Sequence, residues 1–422
     1  MVKFYLLIVL MALTIFPVAA QEDIRVETLT DVTGVSAPTA LRTAVISPDA
    51  SMLAWSRGVE LCIYTFEDEE TNCTPYPEMY RGDNPLVWSP DSKYLAFTEN
   101  FFIQLREPDI WLFDLEAEMF FNRTDDGQIR EIIRPPEGNR PRYIDTMPTW
   151  HPITGDLYFF RSVEMELFGN DIRTTQLMRI AAEDVPVWAV EPEEVANLTM
   201  QFDIPFSIYN PPDYTLNGAL AFSPDGTQLA MLVRPNQFDS PDWGLWLFEL
   251  EMGRLRKLAS REELNAGLPE WVDEPIYTDG VAWTGENLVV SLVDRSLNTG
   301  VSVSQVLYVD TATGEITPLM DFSGIEAPDF FNIDPESGIA PSFDMPRASV
   351  LTPDGETLLY LNMSTDGVAG FSALALPPNG DAPVRWWETE PVPRLPFNSP
   401  SVGTDGDTVR IVTAGYLVTY QR

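Results

Sequence analysis

The chain is poor in the residues that most catalytic and metal centres need. Among 422 residues there are one histidine, two cysteines and three lysines. A single imidazole, His151, excludes metal sites built on several histidines, and two thiols exclude cysteine-rich zinc sites. A Ser-His-Asp triad would have to use His151, and no Gly-x-Ser-x-Gly elbow is present. Long helices are disfavoured, because 36 prolines and 25 glycines are spread along the chain. Beyond the first residues, no apolar run is long enough to span a bilayer as a helix.

Basic charge is scarce as well. The formal net charge is −38, from 64 acidic and 26 basic residues. A field of that sign repels phosphate backbones, so nucleic acid is not an expected partner. Cations, basic proteins or a saline habitat fit it better, and plain solubility explains it equally well. At the N-terminus, Lys3 precedes an apolar run from Phe4 to Phe16, then Pro17 and the small residues Val18, Ala19 and Ala20. This layout reads as a cleaved signal peptide over residues 1–20, with residues 21–422 as one exported domain, periplasmic or extracellular. In that compartment Cys62 and Cys73 are expected to form a disulfide between neighbouring strands, the alternative being two free thiols.

What the chain has is a repeat. A short apolar strand, a turn on Ser-Pro-Asp and a second apolar strand recur along it. The clearest copies are Ile46-Ser47-Pro48-Asp49, Trp88-Ser89-Pro90-Asp91, Phe222-Ser223-Pro224-Asp225-Gly226 and Leu351-Thr352-Pro353-Asp354-Gly355. Trp150-His151-Pro152, Trp283-Thr284-Gly285 and Val402-Gly403-Thr404-Asp405-Gly406 are degenerate copies, making seven. Proline presets φ, aspartate bonds the backbone ahead of it, and glycine accepts positive φ. His151 stands where other copies carry serine, so the repeat explains it as structure. A third strand and a weaker, polar fourth follow, as in Leu245–Glu249 and Arg254–Leu258. Four strands per unit predict an all-β fold, a seven-bladed β-propeller with four-stranded blades. The last unit is one strand short, and Ile24–Thr30 alternates like a strand before the first turn. This N-terminal strand is expected to join the last blade and close the ring, removing the open edges.

The Ser-Pro-Asp-Gly turns between an aromatic-containing strand and a short apolar strand resemble those of the TolB-like, WD-repeat-related propellers of exported bacterial proteins. The resemblance runs over nearly all of residues 24–422, at the level of repeats. It implies architecture; activity differs among such proteins, from assembly and transport helpers to the propellers of peptidases and polysaccharide lyases.

Strand parity assigns the two faces. Connections after strands one and three of each blade share one face, and those after strands two and four share the other. Residues 122–147, 200–217, 259–280 and 321–346 link blades, and 161–176, 234–243 and 292–304 follow second strands. All are expected as long loops on one face, where binding usually lives. Two features there are candidates for binding. One is the basic island Arg130, Arg134, Arg140 and Arg142, suited to carboxylate or sulfate ligands or to pairing with local acids. The other is a set of aromatics including Trp243 and Trp271, which could stack on a ligand or pin the loops to the scaffold. No catalytic residue, metal site or cofactor is assigned; Asp125-Asp126-Gly127 could meet calcium but lacks a full ligand ladder. The expected function is a monomeric scaffold binding a protein or glycan. The alternative is a carboxylate-dependent polysaccharide lyase or glycoside hydrolase working at the channel mouth.

Overall fold

The computed structural model describes residues 24–35, 41, 43–77, 85–98, 108–125, 142–167, 170–186, 191–198, 201, 220–233, 243–265, 268, 277–295, 302–319, 345–363, 369–380, 383–389, 401–413 and 415–422. Residues 1–20 lie outside them.

The strands form seven four-stranded sheets, all paired antiparallel. Blade one comprises β2 (Val45–Ile46), β3 (Met52–Arg57), β4 (Glu60–Thr65) and β5 (Glu70–Pro75). Blade two has β6 (Val87–Trp88), β7 (Tyr94–Thr98), β8 (Ile110–Asp114) and β9 (Met119–Asn122). Blade three has β10 (Arg142–Trp150), β11 (Leu157–Leu167), β12 (Asn170–Ile180) and β13 (Glu193–Asn197). Blade four has β14 (Leu220–Phe222), β15 (Gln228–Val233), β16 (Gly244–Glu249) and β17 (Arg254–Ser260). Blade five has β18 (Tyr277–Thr284), β19 (Asn287–Arg295), β20 (Ser302–Val309) and β21 (Ile316–Pro318). Blade six has β22 (Met345–Leu351), β23 (Thr357–Met363), β24 (Ala369–Ala375) and β25 (Val384–Thr389). Blade seven has β26 (Ser401–Asp405), β27 (Thr408–Thr413), β28 (Tyr416–Gln421) and, as its outermost strand, β1 (Arg25–Thr28). Each innermost strand touches the next, from β2 through to β26, which returns to β2. The ring is closed, and the N-terminal strand completes its last blade.

Pairing of β1 with β28 runs from Arg25 opposite Thr419 to Thr28 opposite Tyr416. The strand expected to reach Thr30 stops at Thr28. There the Thr28 hydroxyl accepts the Asp31 amide at 3.1 Å and caps a short helix, α1 (Leu29–Thr33), which Gly34 ends in the left-handed region. Two other expectations change. Residues 161–176 and 292–304 are not simply loops: β11 and β12 pair from Leu157 opposite Ile180 to Leu167 opposite Asn170, and β19 and β20 run to Arg295 opposite Ser302.

No single core holds the molecule. Seven apolar clusters occupy the seams between neighbouring blades, one to a seam. This is why the second strands read as unbroken apolar runs. In Tyr94–Thr98, Leu95 and Phe97 enter the seam with blade one while Ala96 enters the seam with blade three. Side chains alternate across a strand, so a sheet buried on both faces needs apolar residues at every position.

The Ser-Pro-Asp turn is a closed polar unit. Ser47 Oγ donates to Asp49 Oδ1 at 2.6 Å and accepts the Met52 amide at 2.9 Å, while Asp49 Oδ1 accepts the Ser51 amide at 3.0 Å. Ser89, Ser223 and Thr352 repeat the pattern with Asp91, Asp225 and Asp354. Burial pushes the Asp49 carboxyl up, but hydrogen bonds from Ser47, Ser51 and Ser92 outweigh it and hold the group below its ordinary value. For Asp225 the Ser223 hydroxyl and Thr227 lower it. The fourth residue of each turn has positive φ, and Ala50 and Ser92 adopt it where Gly226 and Gly355 stand in later copies.

Each inner strand also needs donors for carbonyls turned into the seams. Where the next blade begins with tryptophan, its indole N–H supplies the bond: Trp88 to Val45 O (3.2 Å), Trp150 to Val87 O (3.2 Å) and Trp283 to Ala221 O (2.9 Å). Blades four, six and one carry Phe222, Leu351 and Ile46 at that position, none of which can donate. At those seams the preceding blade reaches forward to the carbonyl of the positive-φ residue. His151 Nε2 bonds Gly226 O at 2.9 Å, Thr284 Oγ1 bonds Gly355 O at 2.5 Å, and Arg410 Nη1 bonds Ala50 O at 2.6 Å. His151 Nδ1 accepts the Ile153 and Thr154 amides at 3.2 and 3.1 Å, which leaves the ring proton on Nε2 as the donor to Gly226. The sole histidine is a turn former and a seam bond at once.

Replacing His151 with alanine removes that cross-seam donor and strands two turn amides. A loss of about 2–4 kcal/mol is expected from urea unfolding. At the closing seam, a Cβ on Gly403 would lie 2.0 Å from Ser47 O and 2.9 Å from the Ala50 amide, both backbone atoms. Gly403→Ala is expected to destabilise the ring by at least about 1–3 kcal/mol, read as a lowered thermal midpoint.

Candidate functional site

The antiparallel order within each blade confirms the parity of the two faces. The Ser-Pro-Asp turns and the connections after third strands share one side, where most are short; residues 181–192 in blade three are an exception. The other side carries the linkers between blades and the connections after second strands. The longest connections, 319–344 and 198–219, join strand ends on this side.

Among the described residues, blade three extends furthest on this side. Its first three strands span 9, 11 and 11 residues, against 2, 6 and 6 in blade one. Alternation in Ser162-Val163-Glu164-Met165-Glu166-Leu167 keeps the extension in β geometry beyond the ring. The inner strand bends where it passes blade two. Met147 has φ 59° and the β10–β11 register shifts between Thr146 and Thr149. This bulge lets the Met147 amide bond Thr98 Oγ1 at 3.1 Å and the Asp145 amide bond Pro108 O at 2.9 Å.

At the foot of the raised wall lies a buried ion pair. Asp145 and Arg161 face each other across β10 and β11, and the guanidinium bonds the carboxylate through Nε at 2.8 Å and Nη2 at 2.7 Å. Asp145 is 1% exposed and Arg161 8%. The guanidinium also lies 4.5 Å from the Tyr143 ring centre and 5.7 Å from that of Phe159. Bidentate pairing plus stacking compensates two charges taken out of water. Further polar groups sit near the long-loop ends of other blades. Ser56 and Tyr76 share a hydrogen bond of 2.5 Å, and Ser291 and Ser349 share one between blades five and six.

The predicted binding residues are placed as follows. Arg130, Arg134, Arg140 and Trp271 lie outside the described residues. Arg142 begins β10 with its backbone opposite Glu164; its side chain lies outside the described ones. Trp243 is 6% exposed, sits in the apolar seam of blades four and five, and has the Arg261 guanidinium 5.6 Å from its ring centre. Its position is that of an anchor at the base of its loop. Arg261 opens the short helix α2 (Arg261–Leu264), which a Ser260–Glu263 capping box holds against blade four. Asp125 is exposed, and Asp126 and Gly127 are outside the described residues.

Carboxylate chemistry requires acids poised to exchange protons. Among the described residues, Asp145 and Asp156 are the buried acids. Asp145 is held by Arg161; Asp156 accepts the Ala182 amide at 2.9 Å and lies 3.5 Å from Arg179 on the turn side. Both are committed to internal partners. The sequence signal for the ion pair was visible only as an aspartate and an arginine in separate strands; their register, which unites them, follows from the bulge at Met147.

No family model matches the chain, and no curated protein sequence matches it. Among solved structures, a chain from the crystal structure of the mitotic checkpoint complex is similar over 96% of this chain and 96% of its own, at 12% identity and a TM-score of 0.48. A chain of hydrazine synthase from Kuenenia stuttgartiensis is similar over 92% and 97%, at 12% identity and a TM-score of 0.46. Likeness at this level adds nothing to the blade topology read from the strand pairing.

Arg161→Met removes the bidentate partner of the buried Asp145 and is expected to cost about 3–5 kcal/mol in urea unfolding. The double change with Asp145→Leu is expected to recover most of that loss. A single variant as stable as the native chain would show that the pair carries no weight.

Proposed function

We propose that this ring is an exported scaffold that binds a protein or glycan ligand on its long-loop face. The observation that carries the reading is the asymmetry of the connections: one side is mostly short turns, and the longest connections join strand ends on the other, where the strands of blade three also extend. Long segments on a rigid frame are the usual seat of recognition. The Arg161–Asp145 pair supports it by stiffening the base of that wall. For export, support comes from the signal-peptide pattern of residues 1–20, from the Cys62–Cys73 disulfide and from the repeat's likeness to TolB-like propellers of exported bacterial proteins. Among the described residues no helix is long and apolar enough to cross a membrane.

Both cysteines are engaged in the disulfide, so a new cysteine can be labelled selectively. Val59, 61% exposed between β3 and β4, marks the long-loop side; Ile153, 67% exposed in the blade-three turn, marks the opposite side. Val59→Cys and Ile153→Cys, each carrying a bulky maleimide polymer, are immobilised and exposed to the native secretome and to soluble polysaccharide. The Val59 label is expected to abolish retention of ligands that the Ile153 label leaves intact. Equal retention by both, loss only with the Ile153 label, or release of shortened polysaccharide overturns the scaffold reading.

A further inference from the structure

The outer half of blade one offers a second kind of chemistry, independent of the long-loop face. Cys62 in β4 stands directly opposite Cys73 in β5, with Cα atoms 4.0 Å apart. That spacing is closer than the ~5.5 Å of a hydrogen-bonded antiparallel pair, so the two side chains project together from a non-hydrogen-bonded position. Glu60 precedes Cys62 by two residues and therefore shares its face of the sheet. The carboxylate oxygen and both sulfurs lie within 4.8 Å of one another. Cys62 is buried against the closing seam beside Val412 and Leu417, whereas Cys73 is exposed on the outer strand. Solvent therefore reaches the group from one side.

We propose that reduction of the Cys62–Cys73 disulfide converts this group into a zinc site, with two thiolates and the Glu60 carboxylate as ligands and water in the fourth position. A dithiol reductant supplies two electrons and two protons, becoming a disulfide itself while Cys62 and Cys73 become thiols. Zinc binding then displaces both thiol protons to solvent. The backbone ladder keeps the donors together without the covalent bond, since β4 and β5 pair continuously from Glu60 opposite Pro75 to Thr65 opposite Glu70. With zinc–sulfur bonds of about 2.3 Å in tetrahedral geometry, the sulfurs need to stand about 3.8 Å apart, which rotation about χ1 provides on fixed strands. Two thiolates and a carboxylate carry three negative charges, and the −38 net charge of the chain raises the local concentration of cations.

The test uses the full chain, reduced with a phosphine under argon and titrated with Co²⁺ as a spectroscopic substitute for zinc. One equivalent is expected to bind with a sulfur-to-cobalt charge-transfer band that added Zn²⁺ abolishes. The oxidised chain and Cys73→Ser are expected to show no such band. Glu60→Gln is expected to retain the band with about tenfold or more weaker affinity. No band in the reduced chain, a band that persists in Cys73→Ser, or undiminished affinity in Glu60→Gln overturns the proposal. So does loss of the β-sheet circular dichroism signal on reduction, because the site depends on the intact ladder.

Discussion

Polar satisfaction at the seams governs this ring. Seven apolar clusters supply the adhesion between blades, but adhesion also buries carbonyls of the inner strands and turns in the seams. A carbonyl buried without a donor costs more than a typical hydrogen bond contributes. Tryptophan reaches back to an inner-strand carbonyl at three seams, and at three others His151, Thr284 or Arg410 reaches forward to a turn carbonyl of the incoming blade. At those three seams the compensation for a missing tryptophan comes from the neighbouring blade, by a bond to a different carbonyl.

That compensation explains how much of the fold could be read from sequence. The seven turns were legible because their chemistry is local: hydroxyl, proline and aspartate close a hydrogen-bonded unit within six residues. Ring closure was legible because the last unit lacked a strand and the first residues offered one. The extension of blade three carries its own signal in the alternation of Val163, Met165 and Leu167, within a segment whose length alone suggests a loop. The early end of β1 was written in the Thr28–Asp31 spacing. The Arg161–Asp145 pair was not legible, since it depends on register across a bulge, and register is set by tertiary packing. Of the candidate binding residues, only Trp243 has a described side chain, and its anchoring role depends on Arg261 standing over it.

Function is easier to vary on such a frame than stability. The turn face repeats one polar unit and participates directly in the seams, through His151 to Gly226 and Thr284 to Gly355. Changes there disturb blade contacts. The opposite side can lengthen within one blade, as the paired extension of β11 and β12 shows. Division of labour between faces follows from where the hydrogen bonds are needed.

The pairing of β1 with β28 also sets the order in which the ring can be made. The first described strand acquires its partner only when Tyr416–Gln421 has been synthesised. At roughly 5–20 residues per second, that is a delay of about 20–80 s. Until then blade seven lacks the pairing of β28 with β27 and with β1. The six preceding blades can associate in sequence, but the toroid has no topologically closed intermediate. Its completion joins the first and the last described strands.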